Sequence, residues 1–483
     1  MRFAMTVAAL SLAAQAGQAQ ATLSLDEAIG LARRNNPLFQ QTVNARRSAD
    51  AQVRTAYASL LPSVSANMSG RYQKTGQQFV QGIALSNSSD VMQSSYGIGV
   101  NYAINSDLLF APRLVAANRD AAEADVTGAA EMLRSGVTQQ YLLVLQSRAR
   151  AALQDTLMLT TKGLLELARA RLSVGATTIL DVRTAEVAFG RAEIATLQAL
   201  NTAEVQLLRL FELLGVPQPA TVTLTTQFTV APVTFRLDSL LDLTKRTNPG
   251  LLATKSRESA AGLGLRGAQG RYLPTLSLQT GWGGNASAYA NENAFIAQQS
   301  SGYDRAREGC FSEDSIRGAA GMARLTCSVI QFTPQVELDL RAQNGKFPFQ
   351  FTAAPRSYSA FISMPIFNNL VREQQLQEAI IGRDNARVNV RARELLLSAN
   401  VTEAYRNLQT AIRTTQLQDI NAAAAREQLS FAEERYRVGA ATFLDVTTSR
   451  GTFEQAQIDR VNAIYDYHKA FAALESAVGR PLR

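Results

Sequence analysis

RLSVGATTILDV, residues 171–182, returns as RYRVGAATFLDV at residues 435–446. Arg171, Val174, Gly175, Ala176, Thr178, Leu180, Asp181 and Val182 thus recur as Arg435, Val438, Gly439, Ala440, Thr442, Leu444, Asp445 and Val446. Each copy is a Val-Gly break between two long stretches rich in Ala, Leu, Gln and Arg, and glycine suits the left-handed turn at a helix end. Each copy therefore reads as the tip of a helical hairpin, and the chain as two repeats.

The repeat extends outward from the tips. SLDEAIGLARRNNPLF, Ser24–Phe39, carries a capping box in Ser24 and Glu27 and a second helix start at Pro37. RLDSLLDLTKRTNPGLL, Arg236–Leu252, repeats it, with Asn36-Pro37 answered by Asn248-Pro249. Leu61-Pro62-Ser63 is likewise answered by Leu273-Pro274-Thr275. Each repeat opens with a short helix, a helix of about 24 residues, and a proline at which the structure changes.

Beyond each of these prolines the period becomes two. Val64, Ala66, Met68, Gly70 and Tyr72 alternate with Ser63, Ser65, Asn67, Ser69 and Arg71. Tyr96, Ile98, Val100, Tyr102 and Ile104 follow the same rule, as do Leu276, Leu278 and Trp282, and finally Tyr358, Ala360, Ile362, Met364 and Ile366. Such strands, with Tyr and Trp near their ends, suit a lipid-facing barrel wall with aromatic girdles. A water-soluble sandwich would need a second layer, and long helices leave little to supply it. Four strands cannot close a membrane barrel, so the barrel is expected to be shared between copies; two, three or four copies would give about eight, twelve or sixteen strands.

Two stretches, from about Asp107 to Leu172 and from about Asn369 to Arg437, read as unbroken helices without internal proline, rods of about 100 Å. Their return helices, about Ile179–Leu214 and Phe443–Val478, would span only about 55 Å each. The short helix stacked end to end on the return helix nearly matches the long one. The expected fold class is α+β: long coiled-coil hairpins forming a helical barrel, plus four strands per chain in a shared transmembrane β-barrel.

Bulk properties agree with a folded, exported chain. Of 483 residues, 48 are Lys or Arg and 40 Asp or Glu, a net charge of +8, but the basic residues alternate with acids on helices, as in Arg391, Arg393, Glu394 and Glu433, Glu434, Arg435. No aromatic-plus-basic cluster points to nucleic acid. Arg2, the apolar run Phe3–Leu12 and Ala19-Gln20-Ala21 form a secretory signal pattern, with the mature chain expected from Thr22 and no cysteine there for a lipid anchor. No run of about 18 apolar residues follows. The expected organisation is a signal at 1–21, a first repeat at 22–235 and a second at 236–483.

Taken together, the opening LSLDEAIGLARRNNP, the duplicated strand-pair and long-hairpin plan, and the two RxxVGxxxxxDV tips resemble the TolC family of outer-membrane efflux ducts over essentially the whole mature chain. The resemblance implies a homotrimer in outer-membrane lipid, with a twelve-stranded barrel and a helical tunnel crossing the periplasm. It also implies two partners: a periplasmic adaptor, or membrane fusion protein, and an inner-membrane ABC or proton-driven pump. Cargo would be small toxic compounds or secreted proteins, with no cofactor and no enzymatic step. The adaptor-contact tips map onto Val174, Gly175, Val438 and Gly439. The family's gate acids map onto Asp445 and, where a second acid is usual, Thr448. The polar link that holds the tips closed maps onto Tyr436 and Asp181, while the family's arginine position is Ala441. The competing reading is a periplasmic coiled-coil adaptor or scaffold that never enters the membrane, although such a chain would need only one hairpin and no period-two strands.

The second repeat holds about 50 residues between Gly283 and Ser357 that the first lacks, including both cysteines, Cys310 and Cys327. A long loop at a barrel rim is expected outside the cell, where two cysteines in an oxidising compartment should pair. Other signals carry little. GLGLRG at Gly262–Gly267 sits in a helical pattern rather than after a strand, against a dinucleotide site. The single histidine, His468, has no companion at metal-ligand spacing.

Overall fold

The computed structural model describes residues 21–74, 79–80, 83–84, 90–230 and 235–482. The expected signal segment falls, but for its last residue, outside the described residues. The first repeat runs β1 (Ala21–Leu23), α1 (Leu25–Asn35), α2 (Pro37–Ala58), β2 (Ser63–Gln73), β3 (Phe79–Val80), β4 (Ile83–Ala84), β5 (Val91–Ile104), α3 (Ser106–Ser173), α4 (Ile179–Leu214) and β6 (Val222–Leu224). The second runs α5 (Leu237–Thr247), α6 (Pro249–Gly270), β7 (Thr275–Tyr289), α7 (Glu292–Ala319), a 3-10 turn at Cys327–Val329, α8 (Pro334–Asn344), β8 (Thr352–Ala353), β9 (Ser357–Ser363), α9 (Val371–Arg437) and α10 (Phe443–Val478). The chain folds into two compact units. A helical unit takes the chain up to Val53, Arg113–Leu265 and Glu378–Arg483; a sheet unit takes Arg54–Pro112 and Arg266–Gln377. Each unit draws on both repeats.

In the helical unit the end-to-end stacking follows from two asparagines. Asn36 Oδ1 accepts from the Phe39 amide at 3.0 Å, capping α2, while its Nδ2 donates to the Leu213 carbonyl at 2.9 Å, closing the end of α4. Asn248 does the same for α6 and α10, through the Leu251 amide at 3.2 Å and the Ala477 carbonyl at 3.4 Å. One side-chain amide thus satisfies one orphan donor of one helix and one orphan acceptor of another. Gly215 and Gly479 end α4 and α10 at φ 72° and 89°. A Cβ on Gly215 would stand 2.5 Å from the Asn35 carbonyl oxygen, so only glycine lets the helix ends meet.

Two apolar clusters flank these junctions. Val137, Tyr141, Leu210 and Leu214 anchor one, and Val401, Tyr467, Leu474 and Val478 the other. Tyr141 donates to the Leu23 carbonyl at 2.8 Å, beside the parallel pair that β1 makes with β6. The capping box at Ser24 and Glu27 is formed. His468 lies buried in α10 against the rings of Phe228 and Tyr467, and GLGLRG lies within α6.

The long helices α3 and α9 have 68 and 67 residues. The expectation of a proline-free rod is corrected at α3, where Pro112 stands in the second turn. The helix begins at Ser106, earlier than the proline would favour, because Asn105 Oδ1 caps it through the Leu108 amide at 2.9 Å.

The sheet unit places β2, β5, β7 and β9 side by side in antiparallel order, with β8 also on β7. Register puts the apolar residues on one face. Val64 faces Val100, Ala66 faces Ile98, Ile98 faces Trp282, and Leu276 faces Ile362. The other face is bare or polar in its middle rows, with Ser65, Gly99 and Gly281 in one row and Asn67, Gly97 and Gly283 in the next, and carries Phe361, Ala103, Val91 and Tyr289 towards its ends. The fourth strand is shorter than its alternation predicts, ending at Ser363 instead of reaching Ile366, since Pro365 has no amide for the ladder.

The extra residues of the second repeat are largely helical, as α7 and α8, rather than a plain loop. Cys310 of α7 is joined to Cys327 of the 3-10 turn, with Cα atoms 5.7 Å apart. Tyr289 stacks on Phe295 at 3.9 Å, and its amide donates to Asn344 Oδ1 at 2.6 Å, fastening the insertion to the end of β7.

Candidate functional site at the hairpin tips

Both tips are built alike. Gly175 and Gly439 take φ of 73° and 79°. The amides of Gly175 and Ala176 donate to the Leu172 and Arg171 carbonyls, and those of Gly439 and Ala440 to the Tyr436 and Arg435 carbonyls, the paired bonds of a Schellman ending. Val174 and Val438 are thereby turned outward, 76% and 73% exposed, with Leu180 and Leu444 comparably bare. The first tip presents Val174, Ile179 and Leu180 to solvent and the second Val438 and Leu444, large apolar side chains which a lone surface does not need.

The acids mapped to the gate have local partners. Asp181 Oδ2 accepts from Thr177 Oγ1 at 2.7 Å and from Thr178 Oγ1 at 2.8 Å, and Thr178 Oγ1 accepts from the Asp181 amide. Asp445 makes the same box with Thr442. The Thr177 hydroxyl holds the Asp181 carboxyl below its ordinary 3.8, with the Thr178 amide and hydroxyl adding to it. The Thr442 amide, then its hydroxyl, then the Arg435 charge lower Asp445. Thr448, exposed, donates to the Leu444 carbonyl of its own helix.

The expected link from Tyr436 to Asp181 is not formed. Among the described residues the buried Tyr436 hydroxyl finds no hydrogen-bond partner, and the Asp181 carboxylate is taken up by its cap. The Tyr436 ring is engaged instead: the Arg171 guanidinium lies 4.4 Å over its centroid, and Phe443 meets it edge-on at 5.9 Å. Phe443 is packed among Leu165, Ala168, Val182 and Ala185 of the first hairpin. Arg450 Nη1 donates to Thr161 Oγ1 at 3.3 Å, and Nη2 lies 3.5 Å from Glu433. The capping boxes were readable as Thr-x-x-Asp; the engagement of Arg171, Phe443 and Arg450 was not.

Since folding lowers both carboxyls, their support for the tips is fully present above the ordinary carboxylate value and is lost as pH falls through the lowered one. Exchange protection of the Asp181 and Asp445 amides is expected to hold from neutral pH down to about pH 4 and to fall below it. Equal protection at pH 3 and pH 7 would show that the carboxylates do not hold the caps.

Among the described residues no His, Cys, Asp and Glu group is arranged to hold a metal, and no helix is long and apolar enough to cross a membrane. The model of the outer membrane efflux protein family matches residues 28–216, most of the first repeat, and 317–480, the second repeat from within its insertion onward, both tips included. The chain belongs to that family. Members act in efflux at the outer membrane, so the one-sided sheet is a membrane wall and the helical unit extends into the periplasm. No curated protein matches the chain. Solved structures share its fold. A membrane protein from Pseudomonas aeruginosa is 19% identical, with 94% of this chain and 90% of that one aligned at a TM-score of 0.71. The Campylobacter jejuni CmeC outer membrane channel is 16% identical over 94% and 85%, at 0.72. The open state of the Neisseria gonorrhoeae MtrE outer membrane channel is 16% identical over 95% and 89%, at 0.71.

Proposed function

We propose that this outer-membrane efflux protein works as a homotrimeric duct, taking cargo from a periplasmic adaptor and an inner-membrane ABC or proton-driven pump. The carrying observation is the sheet: four strands with one continuous apolar face and, among the described residues, two unpaired edges, β2 and β9, which only further copies in lipid can close. The exposed Val174, Leu180, Val438 and Leu444, standing on the rigid Gly175 and Gly439 turns, are the surface offered to the adaptor. Asp445 supplies the carboxylate ring of the periplasmic constriction, and Thr448 a hydroxyl where a second acid would narrow it further. Asp181 shapes that constriction by holding its own tip. The insertion crosslinked by Cys310 and Cys327 belongs to the exterior mouth.

A periplasmic adaptor that never enters the membrane has no use for the spanning sheet. Cell fractionation and sizing in detergent test the choice: the chain is expected in the outer membrane and, once extracted, as a complex of three copies. A chain that purifies without detergent as a soluble monomer would overturn the duct.

A further inference from the structure

We infer that the insertion of the second repeat rides on the lipid side of the barrel wall, and that its turn at residues 346–351 is an anchor in the outer leaflet instead of a lid over the pore. The inference rests on the reading of the apolar face of the sheet as the side that meets lipid. Its ground is a burial that falls on one face only. At the far end of β5 and β7, Ser94, Ala286 and Ala288 are each 5% exposed and Gly284 is also buried, while Gln93, Asn285 and Ser287 between them are exposed. Side chains alternate between the faces of a strand, and the buried set falls in step with Ile98, Val100, Leu278 and Trp282. The face that is covered is therefore the apolar one, and the polar face stays open.

The cover is the stretch KFPFQF at residues 346–351, which is clamped to β7 at both ends. Ahead of it, Asn344 Oδ1 accepts from the Tyr289 amide at 2.6 Å and Asn344 Nδ2 donates to the Tyr289 carbonyl at 3.4 Å; behind it, β8 pairs with Gly284 and Asn285. Between the clamps the Gln350 amide donates to the Lys346 carbonyl at 2.9 Å, the Ser94 hydroxyl donates to the Pro348 carbonyl, and Phe351 meets the Tyr96 ring edge-on at 4.9 Å. A Cβ on Gly284 would stand 2.8 Å from the Tyr96 ring and 3.1 Å from Phe351 Cβ, so the glycine makes room for this pair. Phe349, by contrast, is 70% exposed. Its depth follows from strand length. Thr275, at the start of β7, and Gly284 lie about 30 Å apart along the strand, or about 23 Å in height at a barrel tilt of about 40°, which matches an apolar band of about 25 Å. At that height β5 and β7 offer Ser94, Gly284, Ala286 and Ala288, too small or too polar to form an aromatic girdle, and the turn supplies the rings they lack. An exposed phenylalanine at that height and on that side meets the boundary between headgroups and acyl chains.

Trp282 is the single tryptophan of the chain and lies on the same face, 43% exposed. The test is tryptophan emission from the full-length protein reconstituted in phosphatidylcholine vesicles brominated on the acyl chains close to the headgroup. Native Trp282 is expected to be quenched by this lipid, which checks the membrane wall itself. In the chain carrying Trp282→Phe and Phe349→Trp, the remaining tryptophan is expected to lose about half its emission to the brominated lipid and to be shielded from aqueous iodide. In the chain carrying Trp282→Phe and Ser287→Trp, on the polar face at the same end of β7, iodide should quench and the lipid should not. Quenching of the Phe349→Trp chain by iodide alone overturns the anchor and gives the turn to the aqueous mouth. If neither quencher reaches that tryptophan, the anchor is overturned in favour of a second protein surface over the turn. Equal lipid quenching of the Phe349→Trp and Ser287→Trp chains overturns it as well, since the covered face would then not be the lipid side. All three results leave the wall in place as long as native Trp282 is quenched; an unquenched Trp282 overturns the wall and the anchor together.

Discussion

Replacing Asn36 and Asn248 together by alanine is expected to remove about 4–8 kcal/mol of stability from the helical unit. Each asparagine is an N-cap, worth about 1 kcal/mol, and each also satisfies a carbonyl at the end of another helix, whose loss when buried costs about 1–3 kcal/mol. Both side chains are nearly sealed from water, at 6% and 5% exposure, so solvent cannot replace what is lost. The two sites lie beside separate apolar clusters, so their effects should add. Asn36→Asp separates the two roles: it keeps the acceptor for the Phe39 amide but loses the donor to the Leu213 carbonyl and faces that carbonyl with a charge. It should therefore destabilise although the cap remains. Thermal unfolding of the extracted protein, followed by helical circular dichroism, measures both. Melting within 2–3 °C of wild type for the double variant would show that the helix junctions stand without their asparagines; the loss above corresponds to well over that shift.

Met68→Arg is expected to keep the chain from assembling in the outer membrane. Met68 is 61% exposed on the apolar face, midway along β2 and opposite Tyr96 in the register, and an arginine near the midplane of a barrel's lipid face costs about 2–4 kcal/mol in every copy. Ser69, on the same strand but the other face and opposite Ser95, is the control. Ser69→Arg should assemble normally and change only the ionic preference of the open pore. Outer-membrane content after fractionation reads the difference. Equal assembly of the two variants would mean that the apolar face does not meet lipid.

Periodicity by itself determined most of the architecture. The change from period 3.6 to period 2 at Pro62 and Pro274, the repeated glycines 175 and 439, and the matched Asn-Pro pairs are local signals, and their physical causes lie within a turn or a strand. They place the hairpins, their tips and the strands close to where the structure has them. Even the end-to-end stacking of short and return helices follows from lengths alone. Local reading failed where competing local preferences met: Pro112 is carried inside α3 by the Asn105 cap, and β9 stops at Ser363 ahead of Pro365.

Tertiary structure alone decided which side chain crosses between the hairpins. Arg171 and Arg435 occupy matched positions, as do Ile179 and Phe443, so repeat periodicity gives no reason for one to bridge and the other to fold back. The choice comes from what stands opposite: Tyr436, where the first repeat has Leu172, offers a ring to a cation, and the small Ala168 and Ala185 leave room for Phe443. A carboxylate three residues into a helix is claimed first by its own N-cap, which closes a short loop at little entropic cost. That is why Asp181 and Asp445, which the family resemblance alone assigned to the gate and its link, are held in their own tips, and why the contact between hairpins is made by an arginine and two rings.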